Sequence, residues 1–222
     1  MKIECYSCLE GARKAGGVTV IIDVFRAGNT ILSCFNQGAE SVIPVGKLDR
    51  AYELKRQNPG YILAGERNSL PPEGFDFGNS PVEASKMNLE GQSVIMTTSA
   101  GTQGIVHAGA PTKILIATFA NEKPVVEYIH SIQPEKVSLV AMGFNTTEKA
   151  EEDEWYAWYL EQKLTGENPD FQNIKSKLLH SKGAQRLKGI NKQDDLEFCL
   201  QLNTFDFVVE YDFQRKVLVK VR

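Results

Sequence analysis

The run Val18-Thr-Val-Ile-Ile-Asp-Val-Phe25 is β-branched or apolar at every position except Asp23. A strand without polar alternation has no face to give to water, so it must be covered on both sides. That requirement points to a sheet held between two layers of helices, and the rest of the chain supplies the pieces. A helix is expected over 30–37, with Ile31, Leu32 and Phe35 on one face and Gly38 as its stop. Residues 41–45, 61–64, 93–97, 113–117 and 136–141 read as further strands. Residues 47–57, 81–87, 105–108 and 121–132 read as the helices between them. This alternation predicts the α/β class, as a three-layer α/β/α sandwich on a mostly parallel, mixed sheet.

The last third changes character. A helix over 147–164 opens on Glu148, Glu151, Glu152, Asp153 and Glu154, and then gains bulk from Trp155, Tyr156, Trp158 and Tyr159. Gly166 to Pro169 ends it. Helices over 171–187 and 194–202 follow, and two alternating runs, 205–211 and 216–221, read as a C-terminal β-hairpin. Without repeats or a low-complexity linker, residues 1–222 are expected to form a single domain.

Composition excludes some classes. A net charge of -3 gives no general attraction to nucleic acid or anionic lipid. No apolar run approaches the roughly 18 residues of a membrane span. Residues 1–9 hold one Lys and no long apolar core, so no signal peptide is read there and a cytoplasmic location is expected. Cys5 and Cys8 form a C-x-x-C pair, but Cys34 and Cys199 are isolated. The pair is read as lying at a strand, not at a helix opening, and as structural.

The candidate chemistry lies where strands end, because ligands of open α/β sheets bind beyond the carboxyl ends of the strands. Asp23 closes its strand and is followed by Arg26, Asn29 and Thr30. A carboxylate at the end of an apolar strand is costly to bury unless it is paired or binds metal, and Arg26 is one available partner. Glu66 and Arg67 end a second strand. They open a long polar loop that runs through Asp76 and Asn79 to Pro81, rich in Gly and Pro and without helical or strand period. Thr97, Thr98, Ser99, Gly101 and Thr102 end a third strand and open a helix, an arrangement that fits a phosphate cradle as well as an ordinary helix start. Asp23, Glu66, Asp76, Glu152 and Asp153 supply oxygen ligands for a hard cation such as Mg²⁺. Locally, Glu152 and Asp153 also fit a solvated helix start that compensates the dipole.

Several motifs are missing. There is no G-x-x-x-x-G-K-[ST] and no G-x-G-x-x-G, which counts against NTPase and dinucleotide-binding readings. There is no G-x-S-x-G elbow, no Cys followed six residues on by Arg, and no second Asp two residues after Asp23. His107, His130 and His180 are scattered on expected helices.

Four segments, in order, carry a resemblance. Asp23-Val-Phe-Arg26, Gly65-Glu66-Arg67, Gly74-Phe-Asp-Phe-Gly-Asn-Ser-Pro81 and Thr97-Thr-Ser-Ala-Gly-Thr102 resemble the 2-phosphosulfolactate phosphatase family. The similarity extends to Glu152-Asp153 and to Asp195-Leu-Glu-Phe-Cys199, and so covers nearly the whole chain. The resemblance implies a Mg²⁺-dependent phosphomonoesterase on an α/β/α sandwich, acting on a small anionic phosphoester. It makes Asp23, Arg26, Glu66, Arg67, Asp76, Asn79, Thr98, Gly101, Thr102, Glu152 and Asp153 site candidates, with Asp76 as an expected proton donor. Asn29, Thr30 and Ser99 join them as substrate-binding candidates from their positions. The sequence departs from the family pattern at Gly28-Asn29, Asn68-Ser69 and Ser99-Ala100, which bears on how the non-phosphate end of the substrate is held. A binding protein that has lost the chemistry, and a transferase for a related ligand, are the competing readings. A homodimer is one of the assemblies left open.

Overall fold

The structure, a computed structural model, describes residues 1–221. Its elements, in chain order, are β1 (Lys2–Ser7), α1 (Cys8–Lys14), β2 (Gly16–Ile22), α2 (Ala27–Asn36), β3 (Ser41–Pro44), α3 (Leu48–Gln57), β4 (Ile62–Gly65), β5 (Phe77–Gly78), α4 (Pro81–Ala84), β6 (Ser93–Thr97), α5 (Gly101–Val106) and β7 (Ala110–Ala117). After the 3₁₀ turn Phe119–Asn121 come α6 (Glu122–Ile132), β8 (Lys136–Ala141), α7 (Glu151–Leu164), α8 (Phe171–Leu178), α9 (Lys182–Gly189), α10 (Gln193–Cys199), β9 (Val209–Asp212) and β10 (Val217–Lys220).

All ten strands join one mixed sheet in the order β1-β8-β2-β7-β9-β10-β3-β6-β4-β5. The first four are mutually parallel, as are the last four. The C-terminal hairpin is not an edge ornament. It sits in the middle, with β9 antiparallel to β7 and β10 antiparallel to β3, and sews the two parallel groups together. Three successive antiparallel contacts make the two groups enter the hairpin with opposite polarity. Inter-strand twist of roughly 20–25° per step, over the four steps from β2 to β3, turns one group on the order of 90° against the other. The carboxyl ends of both groups can then meet.

The reading of β2 as a doubly covered strand holds. Val18, Val20 and Ile22 pack with Ile129 of α6, Leu160 of α7, Ile174 of α8 and Leu187 of α9. Ile21 faces the other way, toward Ala12 of α1, Ile31 of α2 and Ile105 of α5. These are the outer layers of the sandwich.

Where element boundaries moved, local chemistry moved them. α2 begins earlier than periodicity indicated because the turn after β2 closes at once: the backbone N–H of Gly28 donates to the carbonyl of Asp23 at 2.9 Å, and that of Ala27 to its carboxylate at 3.1 Å. The helix expected over 171–187 is two helices. Ser181 interrupts it as an N-cap, its hydroxyl accepting from the N–H of Ala184 at 3.1 Å. The C-x-x-C pair was placed at a strand alone, whereas Cys8 opens α1. Burial nevertheless pushes the Cys5 thiol up to about 11 and raises that of Cys8, which opposes the thiolate a redox pair needs.

Candidate active site

Asp23 lies just past β2, Glu66 just past β4, Ser99 just past β6 and Gly143 just past β8. These strand ends surround a cavity of about 60 Å³ lined by Asp23, Arg26, Glu66, Asn79, Ser99 and Arg186 of α9. That is well below the several hundred Å³ of a drug-sized pocket, so only a small group, such as the phosphate end of a ligand, enters it. A far larger surface hollow, about 1440 Å³, lies over β3 and the start of β7. Its charged lining residues Glu40, Lys47, Arg50, Arg215 and Lys216 are all exposed. The buried charges gather at the small cavity.

Asp23 is 6% exposed and Glu66 7% exposed, and backbone N–H groups hold both. Asp23 accepts from Ala27, and Gly101 packs so tightly that an added Cβ would fall 2.8 Å from its Oδ2. Glu66 accepts from the N–H of Ser99 at 2.6 Å, the N–H of Ser69 at 2.9 Å and the Ser99 hydroxyl at 3.1 Å. Thr98 and Thr102 cap each other: the Thr98 N–H donates to the Thr102 hydroxyl at 2.8 Å, and the Thr102 N–H to the Thr98 hydroxyl at 3.1 Å. The turn read as a phosphate cradle is therefore filled by the protein's own groups. It cradles Asp23 and Glu66 and positions them toward the cavity.

Glu152 and Asp153 stand behind this wall, each 2% exposed. Asp153 ties the ends of β2 and β8 together, accepting from the N–H of Val24 at 2.8 Å and of Gly143 at 2.9 Å. Glu152 is held less well, by its own backbone N–H alone. Its Oε2 has no hydrogen-bond partner, and its Oε1 is 3.9 Å from Arg186 Nη2. Gly183 leaves room for it, since a Cβ there would lie 2.5 Å from Oε1. Burial pushes Glu152 up to about 7, with its own backbone N–H and then Arg186 opposing and the charge of Asp23 adding. Burial pushes Asp23 up to about 6; the Ala27 N–H opposes this and Glu66 adds to it. Asp153 is raised well above the usual carboxylate range by burial, then by Asp23 and Glu152. The cluster holds more negative charge than its surroundings compensate.

Other candidates lie elsewhere. Asp76 is not in the cavity. Its Oδ2 accepts from the N–H of Leu63 at 2.7 Å, lies 3.6 Å from Lys55, and the side chain is 37% exposed. It pins the polar loop to β4, so the expected convergence of five carboxylates fails there. Arg67 points away, donating to the carbonyl of Glu66, the carbonyl of Gly46 and the Thr97 hydroxyl. Asn29 and Thr30 act one layer out. Asn29 donates to the carbonyl of Val24 at 2.9 Å, and Thr30 donates to the carbonyl of Arg26 at 3.1 Å and to Oδ1 of Asn79 at 3.0 Å. Both brace the turn that carries Asp23 and Arg26, in which the Phe25–Arg26 peptide is cis.

Local sequence reading missed Asp195. This residue, 1% exposed, accepts from Arg26 Nη1 at 2.9 Å and from the Ser80 hydroxyl at 2.6 Å. It fixes the Arg26 guanidinium from a point 169 residues away, and only its place in the resembling segment near the C-terminus hinted at it. Replacing Asp195 with Ala leaves the buried Arg26 without its hydrogen-bonded carboxylate partner, so unfolding free energy should drop by about 3 kcal/mol in urea denaturation.

The donor set is the kind a hard cation prefers. Among the described residues, no three His, Cys, Asp or Glu side chains group closely enough to hold an ion by themselves. Mg²⁺ ordinarily needs only one or two carboxylates, the rest coming from water and substrate phosphate. Uncompensated charge around Asp23 and the unpartnered Glu152 oxygen fit such an ion.

The model of the 2-phosphosulpholactate phosphatase family matches residues 7–214. A protein of Thermotoga petrophila is 34% identical over 202 residues, covering 85% of this chain and 86% of its own. One from Caldicellulosiruptor saccharolyticus is 33% identical over 224 residues, covering 91% of each. One from Thermoplasma acidophilum is 30% identical over 196 residues, covering 87% and 86%. All three carry the name "probable 2-phosphosulfolactate phosphatase". With the family match running through β2, the polar loop, α7 and the Asp195 helix alike, the chain belongs to the 2-phosphosulpholactate phosphatase family of phosphoric monoester hydrolases.

Proposed function

We propose that the protein is a Mg²⁺-dependent phosphatase of a small phosphorylated acid, 2-phospho-3-sulfolactate or a compound of the same chemistry, working in the cytoplasm. The observation that carries this reading is the meeting of Asp23, Glu66 and Arg26, all under 8% exposed, at one cavity fit for a small anion. No described helix is long and apolar enough to cross a membrane.

In this reading Asp23 and Glu66 hold Mg²⁺, with Glu152 and Asp153 setting the charge behind them. The bound ion would polarise the phosphoryl group and activate water. Arg26, held by Asp195, presents its remaining donors to the phosphoryl oxygens where charge builds up. The backbone N–H groups on Glu66 and Asp23 keep both carboxylates aimed, so no reorganisation is needed during the reaction. Asn79 lines the same wall and is steadied by Thr30. Asp76, bound to β4, has no part in proton transfer here.

Purified protein with Mg²⁺ should release inorganic phosphate from 2-phosphosulfolactate and from some simpler phosphoacids. EDTA should reduce release to background, and added Mg²⁺ should restore it. Absence of turnover across a broad phosphoester panel, or turnover indifferent to EDTA, overturns the proposal.

A further inference from the structure

Three arginines are near the strand ends, and two already have a role: Arg67 in holding the backbone, Arg26 at the phosphate position. Arg67 is turned onto carbonyls and Thr97. Arg26 is 4% exposed at the cavity floor and neutralised by Asp195. Arg186 differs. Its side chain is 39% exposed and makes no hydrogen bond among the described residues, and its closest carboxylate atom, Glu152 Oε1, lies at 3.9 Å, beyond hydrogen-bond reach. Its guanidinium carbon sits 4.1 Å from the ring centroid of Phe144, which also lines the cavity, and this stacking fixes its plane.

α9 places it there by helical period. Gly183, Arg186, Leu187 and Ile190 are spaced i, i+3, i+4 and i+7, so they share one face, and all four line the cavity. Gly183 lets that face press against Glu152, and the Ser181 cap fixes where the helix starts. The floor thus holds Asp23, Glu66 and Arg26, the groups assigned to the ion and the phosphate, while the rim holds a stacked guanidinium that makes no hydrogen bond of its own. A phosphoester whose phosphate lies on the floor reaches the rim with its other end.

We infer that Arg186 is the specificity-determining residue of this site, binding a second acidic group of the substrate, a carboxylate or sulfonate, rather than the phosphate that is cleaved. The inference rests on the phosphatase reading above. A bidentate grip on a planar or trigonal oxyanion is what this residue type does best. Selecting a doubly acidic ester over a simple one then depends on a residue of the α9 segment, outside the strand-end motifs that carry the chemistry.

The test compares phosphoglycolate, which has a carboxylate beside its phosphate, with ethyl phosphate, which has none. Arg186→Met keeps the stem on Phe144 and removes the fork. It should cut the ratio of kcat/KM values, phosphoglycolate over ethyl phosphate, by about 10-fold or more, mainly through KM, as expected for lost uniform binding. Arg186→Lys should recover part of the ratio. An unchanged ratio, whether both activities fall together or neither falls, overturns the inference. A second measurement is independent of turnover. Calorimetry with sulfoacetate, which has a carboxylate and a sulfonate but no phosphate, should show binding to the parent protein and at least about 10-fold weaker binding to Arg186→Met. Equal binding to both, or to neither, also overturns the assignment. If no ester of the broad panel, 2-phosphosulfolactate included, is hydrolysed while the sulfoacetate difference persists, the phosphatase reading fails and the anion site at Arg186 stands.

Discussion

Replacing Asp23 with Asn is expected to lower kcat/KM for phosphate release by about 10³-fold, with the folded structure retained. Asp23 lines the cavity and interacts electrostatically with Glu66, Glu152 and Asp153. The amide keeps the size and one acceptor for the turn N–H groups, but it removes the charge around which the cluster is arranged. Steady-state phosphate release measures the loss, and circular dichroism checks that the sheet persists. A change of less than about threefold, in a folded variant, places the chemistry elsewhere.

The second large effect runs in opposite directions for stability and activity. Glu152 is buried with one oxygen unpartnered, and it is pushed up to about 7. Below the ordinary carboxylate range it is protonated in the folded and the unfolded chain alike, and folding bears no charge cost. As pH rises, the unfolded chain gives up this proton first. Stability therefore falls between about pH 4 and pH 7 and levels off above that window. Glu152→Gln removes the cost without removing a hydrogen bond. At pH 8 it should be more stable than the parent by on the order of 3 kcal/mol at most, because Glu152 titrates as one system with Asp23 and Asp153. In a chain of this size that corresponds to a Tm higher by at most about 6–12 °C, and at pH 4 the difference should vanish. Metal-dependent turnover should fall at the same time. Equal Tm values for the two proteins at pH 8 would show that the buried charge costs nothing and that the cluster is compensated in some other way.

The architecture was largely readable because β2 carries its requirement in its own residues: Val18, Val20, Ile21 and Ile22 all need cover. Strand–helix order, the loop after Glu66 and the place of Asp23 at a strand end followed from local pattern. The position of the hairpin did not. Nothing within residues 205–221 says that β9 pairs with β7 and β10 with β3, since that pairing is set by which strands lack neighbours once the two parallel groups have formed.

The same limit applies at the site. The acidic first turn of α7 reads as a solvated helix start, and Glu151 does behave that way, being exposed. Glu152 and Asp153 are buried because α7 docks its N-terminus against the ends of β2 and β8, a contact the helix's own sequence does not encode. Asp76 sits in the most distinctive segment, yet the loop folds so that its carboxylate serves the Leu63 N–H. Asp195 lies in a segment of the resemblance that gives it no role, Arg186 in none, and only the three-dimensional arrangement brings them to Arg26 and Glu152.

The central claim is that separated carboxylates form one cation and phosphate site at the strand ends. A crystal structure with Mg²⁺ and orthovanadate tests it most directly. The account predicts an ion on Asp23 with Glu66 beside it, and vanadate oxygens on Arg26. Vanadate bound instead in the wide hollow near Lys47 and Arg50, with Asp23 left unligated, would contradict it.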